Sequence, residues 1–184
     1  MANLPPILPS CICLGPIGSG KTMLLKKLKG NEDIDITSTS VPTVGTNITT
    51  LQLPNEKEIV VREVGGAMAP LWNQYYQNIT RIIYVVDASN LCQIAAAGVL
   101  LYTVLAEPQL KQAKVLLVLS KMDVSYRQMR NEALLMLQFA RLQREISQSV
   151  TVLEASAITG EGLQAIKEWL AGIKPTPPTK KVAS

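Results

Sequence analysis

Eight consecutive residues, Gly15-Pro16-Ile17-Gly18-Ser19-Gly20-Lys21-Thr22, have the spacing of a phosphate loop: glycine, four residues, then glycine, lysine and threonine. Glycines at these positions let backbone N–H groups turn inward around phosphate oxygens, and a helix starting near Lys21 points its positive dipole end at the same place. Lys21 would neutralise the β- and γ-phosphates, and the Thr22 hydroxyl would join a Mg²⁺ shell. The alternative is a glycine-rich turn that only happens to fit the pattern. A strand before it and a helix after it favour the chemical reading.

A phosphate loop does not select a base. Ser120-Lys121-Met122-Asp123 follows a later apolar run, and Asp123 can accept two hydrogen bonds from the ring N–H and exocyclic amine of guanine. Adenine lacks that pair of donors, so against it a carboxylate would stay unpaired. The Lys121 stem can lie over the base plane. Ser156-Ala157-Ile158 follows the last apolar run, where a backbone N–H could meet the guanine carbonyl. Either segment alone is weak, since an aspartate after a strand is often a helix cap. Their order along the chain favours a guanine nucleotide.

These residues need a scaffold that brings several loops to one edge. Apolar runs at Ser10–Leu14, Ile48–Leu53, Glu58–Val64, Arg81–Asp87, Lys114–Ser120 and Val150–Ala155 read as strands, several of them covered on both faces. The second and third alternate more and read as a hairpin at a sheet edge. Helices are expected at Lys21–Lys29, Pro70–Gln77, Leu91–Glu107, Tyr126–Arg144 and Gly162–Ile173. The alternation implies an α/β fold: a mostly parallel six-stranded sheet with helices on both faces. In such sheets ligands sit beyond the carboxyl ends of the strands, where the singled-out residues fall. The expected organisation is an irregular lead at 1–9, one domain at 10–174 and a loose tail at 175–184.

Composition sets limits. The 184 residues are 47% hydrophobic and 17% charged, as in a globular chain. Only 4% are aromatic, which argues against a nucleic-acid polymer partner that would be read by base stacking. The +4 charge is scattered and reads as solvated surface. Cys11 and Cys13 lie two apart in a strand and so share one face; with Cys92 they are expected to stay reduced in a cytoplasmic protein. No signal peptide, membrane-length apolar run, second-position glycine or terminal prenylation cysteine is visible, so no intrinsic membrane anchor is expected, and a monomer is.

Between these motifs the chain resembles the Arf-like small GTPases, from about Ser10 to Ile173. The carriers are Pro42-Thr43-Val44-Gly45-Thr46-Asn47, Glu63-Val64-Gly65-Gly66-Ala67, Pro70-Leu71-Trp72, Tyr75-Tyr76-Gln77-Asn78 and the run VVDASN at 85–90. The resemblance implies that Thr43 coordinates Mg²⁺ when a γ-phosphate is present, that the Gly66 amide contacts that phosphate, and that GTP and GDP are the ligands. It implies protein effectors reading residues 41–53 and 63–78, with Trp72, Tyr75 and Tyr76 as candidate anchors, together with exchange and activating factors. Core packing is the competing reading for these aromatics.

The chain departs from the family pattern at four site positions. Ala67 replaces the water-orienting glutamine, which implies very slow hydrolysis and leaves no residue assigned as catalytic. Gln74 and Gln77 are nearby, but both are expected on the following helix. Ile17 stands beside the γ-phosphate position. Glu63 replaces an aspartate that holds a Mg²⁺-bound water, and its extra methylene would displace that water or pull the metal. Ser120 replaces an asparagine that braces the base site, which implies a looser grip. Only nine residues precede Ser10 and three are proline, so the amphipathic N-terminal helix of the family is expected to be absent or much reduced. A regulatory switch is the leading function. A hydrolysis-deficient GTP-binding scaffold is the alternative, and a phosphate-loop small-molecule kinase would need an arginine-rich lid that is not visible.

Overall fold

The structure, a computed structural model, describes residues 8–30, 41–125 and 127–175. The N-terminal seven residues, the start of the expected Tyr126 helix and residues 176–184 of the tail lie outside that set. Strands β1 (Cys11–Leu14), β2 (Thr46–Gln52), β3 (Glu58–Val64), β4 (Arg81–Asp87), β5 (Lys114–Ser120) and β6 (Val150–Glu154) form one sheet in the order β2-β3-β1-β4-β5-β6. The β2–β3 hairpin is antiparallel and at the edge, while every other pairing is parallel.

Side-chain alternation divides the core into two layers, one on each side of the sheet. Ile12 and Leu14 of β1 face one way, toward α2 (Leu91–Ala106), α3 (Arg127–Met136) and α4 (Phe139–Glu145). Cys11 and Cys13 face the other way, toward Leu24, Leu25 and Leu28 of α1 (Lys21–Lys29) and Ile166, Trp169 and Leu170 of α5 (Leu163–Ala171). Both cysteines are fully buried, and Cys92 is exposed. Period-two patterning of apolar residues thus yields helices over both faces, the expected three-layer α/β architecture. Among the described residues no helix is long and apolar enough to cross a membrane.

Two expected helices differ. The segment read as Pro70–Gln77 is a 3₁₀ run at Gly66–Tyr75, with turns such as Met68 N–H to the Gly65 carbonyl, and Gln77 falls beyond its end. Pro70 has no N–H to donate and its ring would crowd the carbonyl four residues back, so a regular α-helix is disfavoured across it. The long helix expected to run to Arg144 is broken at Gln138, whose φ is 50°. Leu137 and Phe139 are both buried, yet two residues on one helix point in nearly opposite directions. The break lets both enter the same core cluster.

Candidate nucleotide site

The loop between β1 and α1 is shaped by its glycines. Gly15 has φ 146°, and a Cβ there would lie 2.2 Å from the Val85 carbonyl oxygen on β4. Only glycine lets the loop leave β1 this close to its neighbour. Gly20 caps α1 in the left-handed conformation. Lys21 is buried, and its Nζ donates to the carbonyls of Gly15 and Pro16, each at 2.8 Å, and to Ser19 Oγ at 3.4 Å. Burial lowers the Lys21 ammonium below its ordinary range, with Cys13 and Glu63 opposing.

Residues from distant parts of the chain meet above this loop. Ile17, Gly18, Gly20, Lys21, Thr22, Thr43, Glu63, Gly66 and Lys121 line one cleft of about 290 Å³. Thr22 Oγ1 lies 3.0 Å from Thr43 Oγ1, and the Thr22 hydroxyl donates to the Glu63 carboxylate. Thr43 Oγ1 is 3.4 Å from the same carboxylate oxygen. Gly65 and Gly66 fill the remaining side. The Gly65 N–H donates to the Gly45 carbonyl at 2.9 Å, and a Cβ on Gly66 would lie 2.4 Å from the Ile17 nitrogen. Ala67 is exposed at the start of the 3₁₀ run, with no side-chain amide to offer. The Ile17 side chain is half exposed at the rim.

Asp123, Ser156, Ala157 and Ile158 do not line that cleft. They form a second group beside it at the ends of β5 and β6. The Ser156 hydroxyl donates to Asp123 Oδ1 at 2.7 Å and accepts from the N–H of Ile158 at 3.2 Å and Thr159 at 3.1 Å. Lys121 joins the two groups, with Nζ 2.6 Å from Asp87 Oδ2 and Cε near Gly20. The looser grip expected from Ser120 meets a counter-observation: its buried hydroxyl reaches the carbonyls of Ser19 at 2.7 Å and Val86 at 3.0 Å. A one-proton side chain thus still ties the phosphate loop to β4.

Two residues with evident roles carry no sequence assignment. Asp87 anchors Lys121 and accepts from the Ser89 N–H at 2.9 Å and hydroxyl at 2.5 Å. A carboxylate at the end of a buried strand was the available signal. Gln93 Nε2 donates to the Ile17 carbonyl at 2.8 Å across 76 positions, which no local pattern announces. Of the aromatic anchors, Trp72 and Tyr76 are buried, so core packing is their correct reading. Trp72 donates its indole N–H to the Gly65 carbonyl at 3.1 Å and packs edge-on against Tyr84. Tyr75 is partly exposed beneath the Arg62 guanidinium.

With this geometry in view, the sequence model of the ADP-ribosylation factor family matches residues 9–173. ADP-ribosylation factor-like protein 16 of Homo sapiens is 34% identical over 166 residues, covering 87% of this chain and 83% of its own. ADP-ribosylation factor-like protein 1 of Caenorhabditis elegans is 31% identical over 162 residues, covering 87% and 86%. The structure of the Arl6 BBS3 small GTPase from Trypanosoma brucei, with bound nucleotide analogue GppNp, superposes with a TM-score of 0.75 at 22% identity, over 90% of this chain and 96% of that one. At that identity it establishes the fold. The family match over nearly the whole length carries the further step: the chain belongs to the ADP-ribosylation factor family of small GTP-binding regulatory switches.

Proposed function

We propose that this chain switches between guanine-nucleotide states through the Thr22–Thr43–Glu63 junction and the Gly66 contact, with slow hydrolysis closing the cycle. The observation that carries this reading is the meeting of three separate segments at one point: the α1 start, the 41–45 loop and the end of β3. Their donors are hydroxyl and carboxylate oxygens, the set that suits Mg²⁺, which is held by few protein ligands together with phosphate. When bound, that ion supplies neutralisation of phosphate charge. The chain's own residues do the rest. Lys21 presents its ammonium to the β- and γ-phosphates, and the backbone of Gly15 to Gly20, with Pro16, Ile17 and Ser19 between, encloses them. Thr43 and Gly66 respond to the γ-phosphate because their contacts form in one nucleotide state only. Asp123 accepts from guanine while Ser156 holds its other side, Lys121 covers the base plane, and the 156–158 backbone meets the base carbonyl.

Ala67 has no group with which to orient water, so intrinsic turnover is slow and an activating partner supplies what is missing. Exchange factors set release. Effectors, we infer, read the exposed apolar side chains of Val41, Val44, Ile48 and Leu71 around the cleft. The protein acts in the cytoplasm as a monomer, with residues 10–174 as the working domain between the lead and the tail.

The test is Asp123→Asn. An amide offers an N–H where the carboxylate accepted, which suits a base bearing a second carbonyl, so xanthine nucleotide should displace guanine nucleotide from the variant. Unaltered guanine preference, or displacement of GTP by equimolar ATP from the wild type, would sink the assignment. Single-turnover hydrolysis with cell extract distinguishes a switch, which is stimulated, from a scaffold, which is not.

A further inference from the structure

We infer that Gln93, in the first turn of α2, is a positioning residue for phosphate binding: it holds the Ile17 carbonyl so that the N–H of the same peptide unit, that of Gly18, faces the phosphates. The inference rests on the guanine-nucleotide reading above and adds a residue to its site. Gln93 Nε2 donates to the Ile17 carbonyl at 2.8 Å. The Ile17–Gly18 bond is trans, so its C=O and N–H point in opposite directions. Ile17 and Gly18 line the cleft above the loop, and Gln93 does not. A carbonyl turned toward Gln93 therefore turns the Gly18 N–H to the cleft side. Among the described residues that N–H meets no acceptor. A free backbone donor beside a cleft is what a phosphate oxygen takes up.

The rest of the loop follows the same plan. The Gly15 and Pro16 carbonyls are taken by the Lys21 ammonium at 2.8 Å each, and that of Ser19 by the Ser120 hydroxyl at 2.7 Å. Lys21 is the ammonium assigned to phosphate above, so its two bonds are given up in the complex. Gln93 and Ser120 carry no such second duty, and their bonds persist. The helix places Gln93 for this. Asn90 caps α2, its carbonyl and Oδ1 accepting the Gln93 N–H at 3.0 and 3.3 Å, and the next residue, Ile94, is fully buried. With the backbone pinned, only side-chain freedom remains to be lost when the amide docks. Gly66 closes on Ile17 as well, since a Cβ there would lie 2.4 Å from the Ile17 nitrogen.

The full chain is loaded with GDP and Mg²⁺, ³¹P nuclear magnetic resonance reads the bound nucleotide, and release of a fluorescent GDP gives a rate. Gln93→Leu removes the donor at similar size. Its β-phosphorus resonance should move more than the α-phosphorus one, and release should accelerate roughly 2- to 12-fold, the net worth of one hydrogen bond. Gln93→Arg restores a donor and should return both readings to the wild-type values. A β-phosphorus resonance that does not move, or that Gln93→Arg leaves displaced, would overturn the inference whatever the rate, because a merely structural role requires neither. Unaltered release would overturn it likewise and leave the nucleotide reading standing. If no GDP is found on the wild type, the nucleotide reading fails first and takes this inference with it. Should Gln93→Leu not fold, Gln93→Glu, which keeps the shape and has no donor at neutral pH, decides by the same two readings.

Discussion

Replacing Ser120 with alanine removes one hydroxyl that serves two backbone carbonyls, those of Ser19 in the phosphate loop and Val86 on β4. Ser120 is 5% exposed, so water does not readily take its place. Leaving a buried acceptor unmet costs about 1–3 kcal/mol. Spread over a domain of this size, each kcal/mol lowers the melting temperature by about 2–4 °C. Ser120→Ala should therefore melt ~2–12 °C lower without nucleotide. If the whole loss is felt in holding the loop around phosphate, release of a fluorescent GDP should accelerate roughly 5- to 140-fold, since 1.4 kcal/mol is a factor of ten. Ser120→Asn supplies two N–H donors for the two carbonyls and should stay within a few-fold of wild type. A Ser120→Ala protein with both the melting temperature and the release rate of the wild type would show that the hydroxyl ties nothing.

Gly66→Ala would place a Cβ 2.4 Å from the Ile17 nitrogen and 2.6 Å from the Pro16 carbonyl carbon, backbone that cannot yield. The variant should keep GDP affinity and lose at least about tenfold in GTP-analogue affinity relative to GDP, a cost of ~1.4 kcal/mol; an unchanged ratio in competition binding would contradict the contact. Burial pushes the Cys11 thiol from 9.0 to about 12, with Arg81 opposing. Across that window the unfolded chain has released a proton that the folded chain keeps, so stability falls as pH rises, by at most about 4 kcal/mol at 1.36 kcal/mol for each pH unit. Cys11→Val should flatten the alkaline arm of a denaturant-midpoint series, and an equally steep arm would count against this. Ala67→Gln should raise single-turnover GTP cleavage at least about tenfold, a floor below the roughly 10²- to 10⁴-fold that a positioned catalytic group contributes; no gain would place the block elsewhere, with the half-exposed Ile17 as the next substitution.

The phosphate loop and the six strands were legible because both are local signals: a fixed glycine spacing and period-two apolar runs that topology then carries to one edge. The broken helix was not, because helical periodicity continues past Gln138, while the break depends on Leu137 and Phe139 competing for one core. The contacts of Ser120 were hidden for a related reason. Swapping asparagine for serine looks like a loss in a motif, yet the short hydroxyl lies within reach of two carbonyls that only folding brings beside it. The same holds for Gln93 and Asp87, whose partners Ile17 and Lys121 are remote in sequence. Trp72 was ambiguous in sequence, and its environment, an indole N–H held by the Gly65 carbonyl, belongs to tertiary packing alone.

That indole gives the molecule an optical reporter. The chain has two tryptophans, and they sit in different core layers. Trp169 packs on α5 with its N–H 3.2 Å from the Thr151 hydroxyl, in the layer away from the Gly65–Gly66 segment. Trp72 is bonded to that segment directly, one residue from the glycine that abuts the phosphate loop. On the proposed switch, in which Gly66 moves with the γ-phosphate, emission from Trp72 should follow the Gly65 carbonyl to which it is bonded, and Trp169→Phe removes the second emitter. A change in ultraviolet emission when GTP replaces GDP, kept in Trp169→Phe, is the expected readout, with no dye on the nucleotide or the chain.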